Sequence, residues 1–133
     1  MPIERVNPKD IYAPFQDMYT QAIRTTGRTQ VFLAGMVAVD PQWNLVGEGD
    51  VVTQVRVTME NIVKALAAVQ AKPSDVVRIN IFTVDVDKYL QQGHAVLLSF
   101  FEKGKLPVST AVGVSRLADP RMLVEIEVTA VLD

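Results

Sequence analysis

Hydrophobic and polar residues recur along this chain with two different periods, and the switches between them predict most of its elements. Near the C-terminus, Val124, Ile126, Val128, Ala130 and Leu132 alternate with Glu125, Glu127 and Thr129. Just before them, Val108, Thr110, Val112 and Val114 alternate with Ser109, Ala111 and Gly113. Side chains alternate across a strand, so both runs predict strands, with Asp119-Pro120 in the turn region between them. The last strand sets two carboxylates on one face, within reach of the small-residue face of the strand before it, its expected partner. Val76 to Val84 predicts a further strand, with Val77, Ile79 and Ile81 set against Arg78, Asn80 and Phe82. The apolar run Val31 to Val39 has the length and β-branched content of a buried strand. Gly35 inside it suggests a bulge, a close approach of other atoms, or tight packing against a helix. Tyr19 to Thr26 is strand-like and ends at the turn signal Gly27-Arg28. Leu45-Val46 allows one more short strand after the turn Asp40-Pro41-Gln42-Trp43-Asn44.

Two stretches switch to the helical period. Asp50 stands where an N-cap is wanted, and Val52, Val55, Met59, Ile62, Leu66 and Val69 follow as an apolar stripe. Arg56, Glu60 and Lys64 fall on a solvated face, and Lys72-Pro73 stops the helix. Asp87 is read as the cap of a second helix from Lys88 to about Lys103. Gly93 inside it costs roughly 1 kcal/mol relative to alanine, which hints at crowding or a kink. Pro2 to Asp17, with three prolines, reads as an irregular arm. The expected order is β-β-(β)-α-β-α-β-β, an α+β arrangement with one crossover and antiparallel ends. Two helices cover one face of such a sheet. Val124-Ile126-Val128 and Val31-Leu33 suggest more apolar surface than two helices hide, so the other face is expected to meet another subunit.

Composition narrows the function classes. The 133 residues fit one domain, 1–133, with ordinary globular proportions of 49% apolar and 21% charged residues. A formal charge of −2 supplies no general pull toward nucleic acid. With no cysteine and one histidine, neither thiolate chemistry nor a histidine-rich metal site is expected, and no metal is assigned. Met1 to Arg5 does not read as a signal peptide, and no apolar run approaches the ~18 residues of a membrane span. A soluble, cytoplasmic protein with no membrane partner is the economical expectation.

The chain resembles the YjgF/Rid (RidA-like) proteins from about Pro14 to Val131. The resemblance is carried by Tyr19-Thr20-Gln21-Ala22-Ile23, Val31-Phe32-Leu33-Ala34-Gly35, Glu60-Asn61-Ile62, Ser74-Asp75-Val76-Val77-Arg78, Phe100-Phe101, Pro107-Val108-Ser109-Thr110 and Val124-Glu125-Ile126-Glu127-Val128. It implies a chorismate-mutase-like fold, a mixed, mostly antiparallel sheet with two helices on one face. Three copies would form a homotrimer around a central barrel, with small-molecule clefts between subunits. It also implies cofactor-free hydrolysis of reactive enamines and imines to a carbonyl compound and ammonia.

In the active branch of that family an arginine two residues after the proline grips the substrate carboxylate. Here that residue is Ser109, which offers one neutral hydrogen bond where a guanidinium gives a charged bidentate pair. The resemblance assigns water positioning to Glu125 and a cleft position to Tyr19. Ser109 is expected to line the same cleft, and backbone N–H groups near Gly35 and Ala111 to hold an oxygen. Ser109 has no histidine partner, which argues against a serine nucleophile. His94 takes the place of an asparagine found in many relatives, although a helix-surface role is the plainer reading. Arg116 and Arg24 are weaker candidates for the missing positive charge, Arg116 being read rather as part of a structural ion pair. Glu127 is read as structural. Whether the chain is an enzyme is left open: an imine hydrolase with altered substrate choice stands against a catalytically silent trimeric ligand- or protein-binding module. Ribonuclease activity finds no support in the charge or in any aromatic-basic pattern.

Overall fold

The computed structural model describes residues 3–133, so Pro2 of the expected arm lies outside the described residues. The chain forms an α+β fold with six strands, β1 (Ile3–Val6), β2 (Ala22–Thr25), β3 (Thr29–Phe32), β4 (Val76–Thr83), β5 (Val108–Gly113) and β6 (Val124–Leu132). Two helices, α1 (Val51–Ala68) and α2 (residues 86–98), interrupt them. A four-stranded sheet has the order β3-β6-β4-β5, and β1 pairs with β2 in a separate ribbon. β1 was not expected, because four residues between prolines are too short to show a period. It forms because Ile3–Val6 lies antiparallel to β2, with Glu4 opposite Arg24.

The order of the large sheet overturns the expected pairing of the two terminal strands. β4 lies between them, antiparallel to β6 and parallel to β5. Both partners are long-range, and alternation within a strand says nothing about its neighbour. A register shift between Val76 and Arg78 also displaces Val77 from the core face that the alternation predicts. Val76, Ile79 and Ile81 are the buried residues of that strand.

α1 begins where Asp50 accepts hydrogen bonds from the Thr53 amide (3.2 Å) and hydroxyl (2.7 Å). Its buried face is Val51, Val55, Met59, Ile62 and Leu66, whereas Val52 and Val69 are exposed. The stripe thus starts one residue earlier than expected. Helix termination falls at Gln70, whose φ of 65° reverses the chain ahead of Lys72-Pro73. α2 is capped by Asp85, which accepts from the Lys88 amide at 3.1 Å, and Asp87 lies inside the first turn. This helix ends at Leu98, not near Lys103. Its middle, Tyr89–Gly93, is π-helical. A Cβ at Gly93 would lie 3.0 Å from Val55 Cγ2 and 3.2 Å from Tyr89 Cδ1. Glycine there lets α2 press against α1, so the expected crowding is present.

The core forms between the helices and one face of the sheet. Val31, Val124, Ile126 and Val128, the residues that argued for an apolar uncovered face, are buried in this core. Two helices suffice for them. The opposite face is mixed: Phe32 (71% exposed) and Val112 (41%) lie among Arg78, Asn80, Glu125, Glu127 and Thr129. No described helix is long and apolar enough to cross a membrane.

Candidate functional site

Two groups of candidate residues emerge, and β4 separates them. The first is built where β3 is interrupted. Leu33 donates its amide to Val128 (3.1 Å), and the next pairing on the same strand is Met36 with Ile126. β3 therefore advances three residues while β6 advances two, which is a β-bulge at Ala34-Gly35. A Cβ on Gly35 would lie 2.0 Å from Glu125 Oε2 and 2.8 Å from its Cδ. The half-buried carboxylate thus occupies the space that any other residue at 35 would fill. This is the close approach that the interior glycine suggested.

Glu125 accepts no hydrogen bond and forms no ion pair among the described residues, whereas Glu127 accepts one from Asn80 Nδ2 at 3.1 Å. The two carboxylates share a face but not an environment. Glu127 is engaged within the sheet, and Glu125 is available to an incoming molecule.

The second group is a cleft of about 260 Å³ at the start of β5. It is lined by Tyr12, Tyr19, Thr20, Gln21, Arg78, Val108, Ser109 and Thr110. The segment bearing Tyr19 is tied to the chain leading into β5: the Thr20 amide donates to the Pro107 carbonyl (3.1 Å), and its hydroxyl to the Leu106 carbonyl (2.6 Å). Gln21 Nε2 donates to the Tyr12 carbonyl at 2.9 Å and holds the second tyrosine nearby. Tyr19 and Ser109 therefore meet in one cleft.

Glu125 does not join them within one chain. Ser109 is level with Ile79 and Glu125 with Phe82, two strands apart across β4. Three residues along and two strands across amount to roughly 14 Å between their backbones. The registers also place Ser109 and Ala111 on the Ile79 side of the sheet and Glu125 on the Phe82 side. Ala111 is exposed on the edge strand.

The weaker candidates lie elsewhere. His94 is 8% exposed and its Nδ1 is 2.8 Å from the Tyr89 hydroxyl, which corrects the helix-surface reading. Burial pushes its pKa below the ordinary histidine value and raises that of the Tyr89 phenol. This buried pair joins the two ends of the π-helical segment of α2 and opens onto neither group. Arg24 pairs with Glu4 across the ribbon, with Nε to Oε2 at 3.0 Å. Arg116 donates to the carbonyls of Leu117 and Ala118, at 3.0 Å each, and forms no ion pair among the described residues. Neither arginine lines the cleft.

Arg78 does line it, and sequence reasoning passed over it. It is paired in register with Val108, next to Ser109, and it is the one charged residue among those lining the cleft. The available signal was its place on the polar side of the Val76–Thr83 alternation. That alternation alone does not reveal which strand lies beside it. Among the described residues no group of acidic, histidine or cysteine side chains has a geometry suited to a metal ion.

Comparison with known proteins places this geometry in a family. The Endoribonuclease L-PSP family model matches residues 11–132. A RutC family protein of Pyrococcus horikoshii is 32% identical over 112 residues, covering 84% of this chain and 85% of that protein. The crystal structure of YyfB from Yersinia pestis, a Rid family protein of unknown function, superposes with a TM-score of 0.91 at 30% identity, over 99% of this chain and 100% of that one. RidA from an Antarctic Psychrobacter superposes with a TM-score of 0.70 at 26% identity, over 86% and 88%. With nearly its whole length matched in both sequence and fold, the chain belongs to the Endoribonuclease L-PSP family, the YjgF/Rid proteins.

Proposed function

We propose that this protein hydrolyses reactive imines or enamines without a cofactor, with Glu125 as the group that activates water. The observation that supports this most is the Glu125 carboxylate, seated over Gly35 on the open face of the sheet with no partner of its own among the described residues. In the proposed reaction Glu125 removes a proton from water as the oxygen bonds to the imine carbon, and hands that proton to the imine nitrogen. The carbinolamine then collapses: Glu125 carries the hydroxyl proton to the nitrogen as the C–N bond breaks, the carbonyl forms, ammonia leaves and Glu125 ends in its ionised state. Backbone N–H groups near Gly35 and Ala111 would hold substrate oxygens.

The Tyr19–Ser109 cleft and Glu125 stand too far apart in one chain to act on one small molecule. The proposal therefore includes a homotrimer, in which the cleft of one subunit is completed by Glu125 of another. Exposed Phe32 and Val112 on the open face, and the unpaired edge of β5, suit that assembly. No nucleic acid is proposed as a partner, since the net charge of −2 offers no attraction to phosphate.

Ser109 in place of an arginine favours one competing reading, a trimeric ligand- or protein-binding module that does not hydrolyse. Ammonia release from freshly generated 2-iminobutanoate separates the two. The wild-type protein is expected to turn it over slowly, Glu125→Gln to abolish turnover, and Ser109→Arg to raise it. Turnover by the Ser109→Arg variant alone supports the binding module. Absence of hydrolysis in every form, across several imines, ends the enzyme reading.

A further inference from the structure

We infer that Arg78 is the specificity-determining residue of the Tyr19–Ser109 cleft, and that this cleft takes an organic acid whose carboxylate Arg78 grips. The inference rests on reading the cleft as the substrate site, and it adds the substrate class. Arg5, Arg24, Arg56, Arg116 and Arg121 are all spent on carbonyl oxygens or carboxylates of the chain itself. Arg78 makes no side-chain hydrogen bond or ion pair among the described residues, yet it is the one residue lining the cleft that carries charge. The acid nearest in register, Glu127, is opposite Asn80 and bonded to it, which leaves the guanidinium unclaimed.

The walls suit such a guest. Tyr19 is held over the start of β5 by the Thr20 bonds to Leu106 and Pro107, so the cleft does not depend on the ligand to form. The Thr110 hydroxyl, on the same side of the sheet as Arg78, can supplement the guanidinium, and no lining residue is acidic. A volume of about 260 Å³ admits a small acid. The charge also sits one strand away from Ser109, on β4 instead of β5, a lateral step of about 5 Å. The carboxylate of the preferred ligand is therefore held over β4, displaced by that step from where an arginine at position 109 would hold it.

The test is a titration of the full-length protein and its Arg78→Gln variant with 4-oxopentanoate and with pentan-2-one, followed by ligand-detected NMR. The first is a stable ketone with a remote carboxylate, and the second is the same five-carbon chain without it. The expected result is that Arg78→Gln weakens 4-oxopentanoate by about tenfold or more and leaves pentan-2-one unchanged. Added salt should weaken the wild-type complex, and Arg78→Lys should recover part of the loss. Unchanged circular dichroism in each variant ties the result to the side chain, because Arg78 is exposed and its side chain makes no hydrogen bond among the described residues. Equal affinity in wild type and Arg78→Gln, or no binding of 4-oxopentanoate to the wild type, overturns the inference. The proposed hydrolysis is judged separately. Glu125→Gln should keep the carboxylate affinity while losing turnover, and a protein that binds the acid through Arg78 but hydrolyses no imine retains the site and loses the enzyme.

Discussion

Replacing Gly35 with alanine tests the placement of Glu125 directly. The new Cβ would lie 2.0 Å from Oε2 and 3.0 Å from Cγ, while ordinary contact begins near 3.4 Å, so the carboxylate oxygen must retreat by about 1.4 Å. Glu125 is a flexible side chain on the open face, and it can move without disturbing the core. The cost in stability should therefore be small, about 1 kcal/mol or less, partly offset because alanine restricts the unfolded chain. The cost in chemistry should be larger, since a misplacement of about 1 Å in a catalytic group lowers turnover by about 100-fold. Two assays read this out: urea unfolding of wild type, Gly35→Ala, Glu125→Ala and the double variant, and imine hydrolysis by the first two. The alanine should destabilise when Glu125 is present and be neutral or stabilising when it is gone, a coupling of about 1 kcal/mol. An identical effect of Gly35→Ala in both backgrounds would show that the carboxylate is not packed on the bulge. Unchanged turnover would refute its role in positioning water.

Three further outcomes follow from other parts of the fold. Gln54 is fully buried and bonds three backbone groups, Gly47 and Arg121 carbonyls at 3.1 and 3.0 Å and the Leu123 amide at 2.8 Å. Gln54→Leu leaves all three unsatisfied and should cost about 3 kcal/mol or more by denaturant unfolding, and a loss below about 1 kcal/mol would contradict that pairing. His94 has its pKa lowered by burial from 6.5, so the unfolded chain takes up a proton that the folded chain resists. This contribution to stability is full above about pH 6.5 and falls as the pH drops below it. The melting temperature should decline between pH 7 and 5 more steeply in wild type than in His94→Phe, and parallel pH profiles would exclude His94 as the cause. Light scattering at micromolar concentration should report three subunits, with an interface on the order of 2,000 Å² per pair; a folded monomer would remove the shared site.

Local rules settled where elements lie and which faces they bury, because a strand or helix written with a clean period needs no distant information. The Val124–Ala130 alternation and the Val55–Leu66 stripe are buried as their spacing requires, although Val131 is buried where the period favoured Leu132, and Asp50 caps α1 through its own carboxylate. Gly35 signalled from sequence a bulge, a close approach or tight helix packing, and the structure shows the first two, with the Glu125 carboxylate as the approaching group. The neighbours of each strand were not legible in this way. β4 inserts itself between β5 and β6 through hydrogen bonds of backbone groups that every residue carries, and no side-chain pattern records that choice. Three consequences depended on it: the separation of Ser109 from Glu125, the presence of Arg78 beside Ser109, and the mixed character of the open face. His94 shows the same limit on a helix, where its burial is decided by the Tyr89 hydroxyl and the π turn between them, a geometry that a 3.6-residue period cannot foresee.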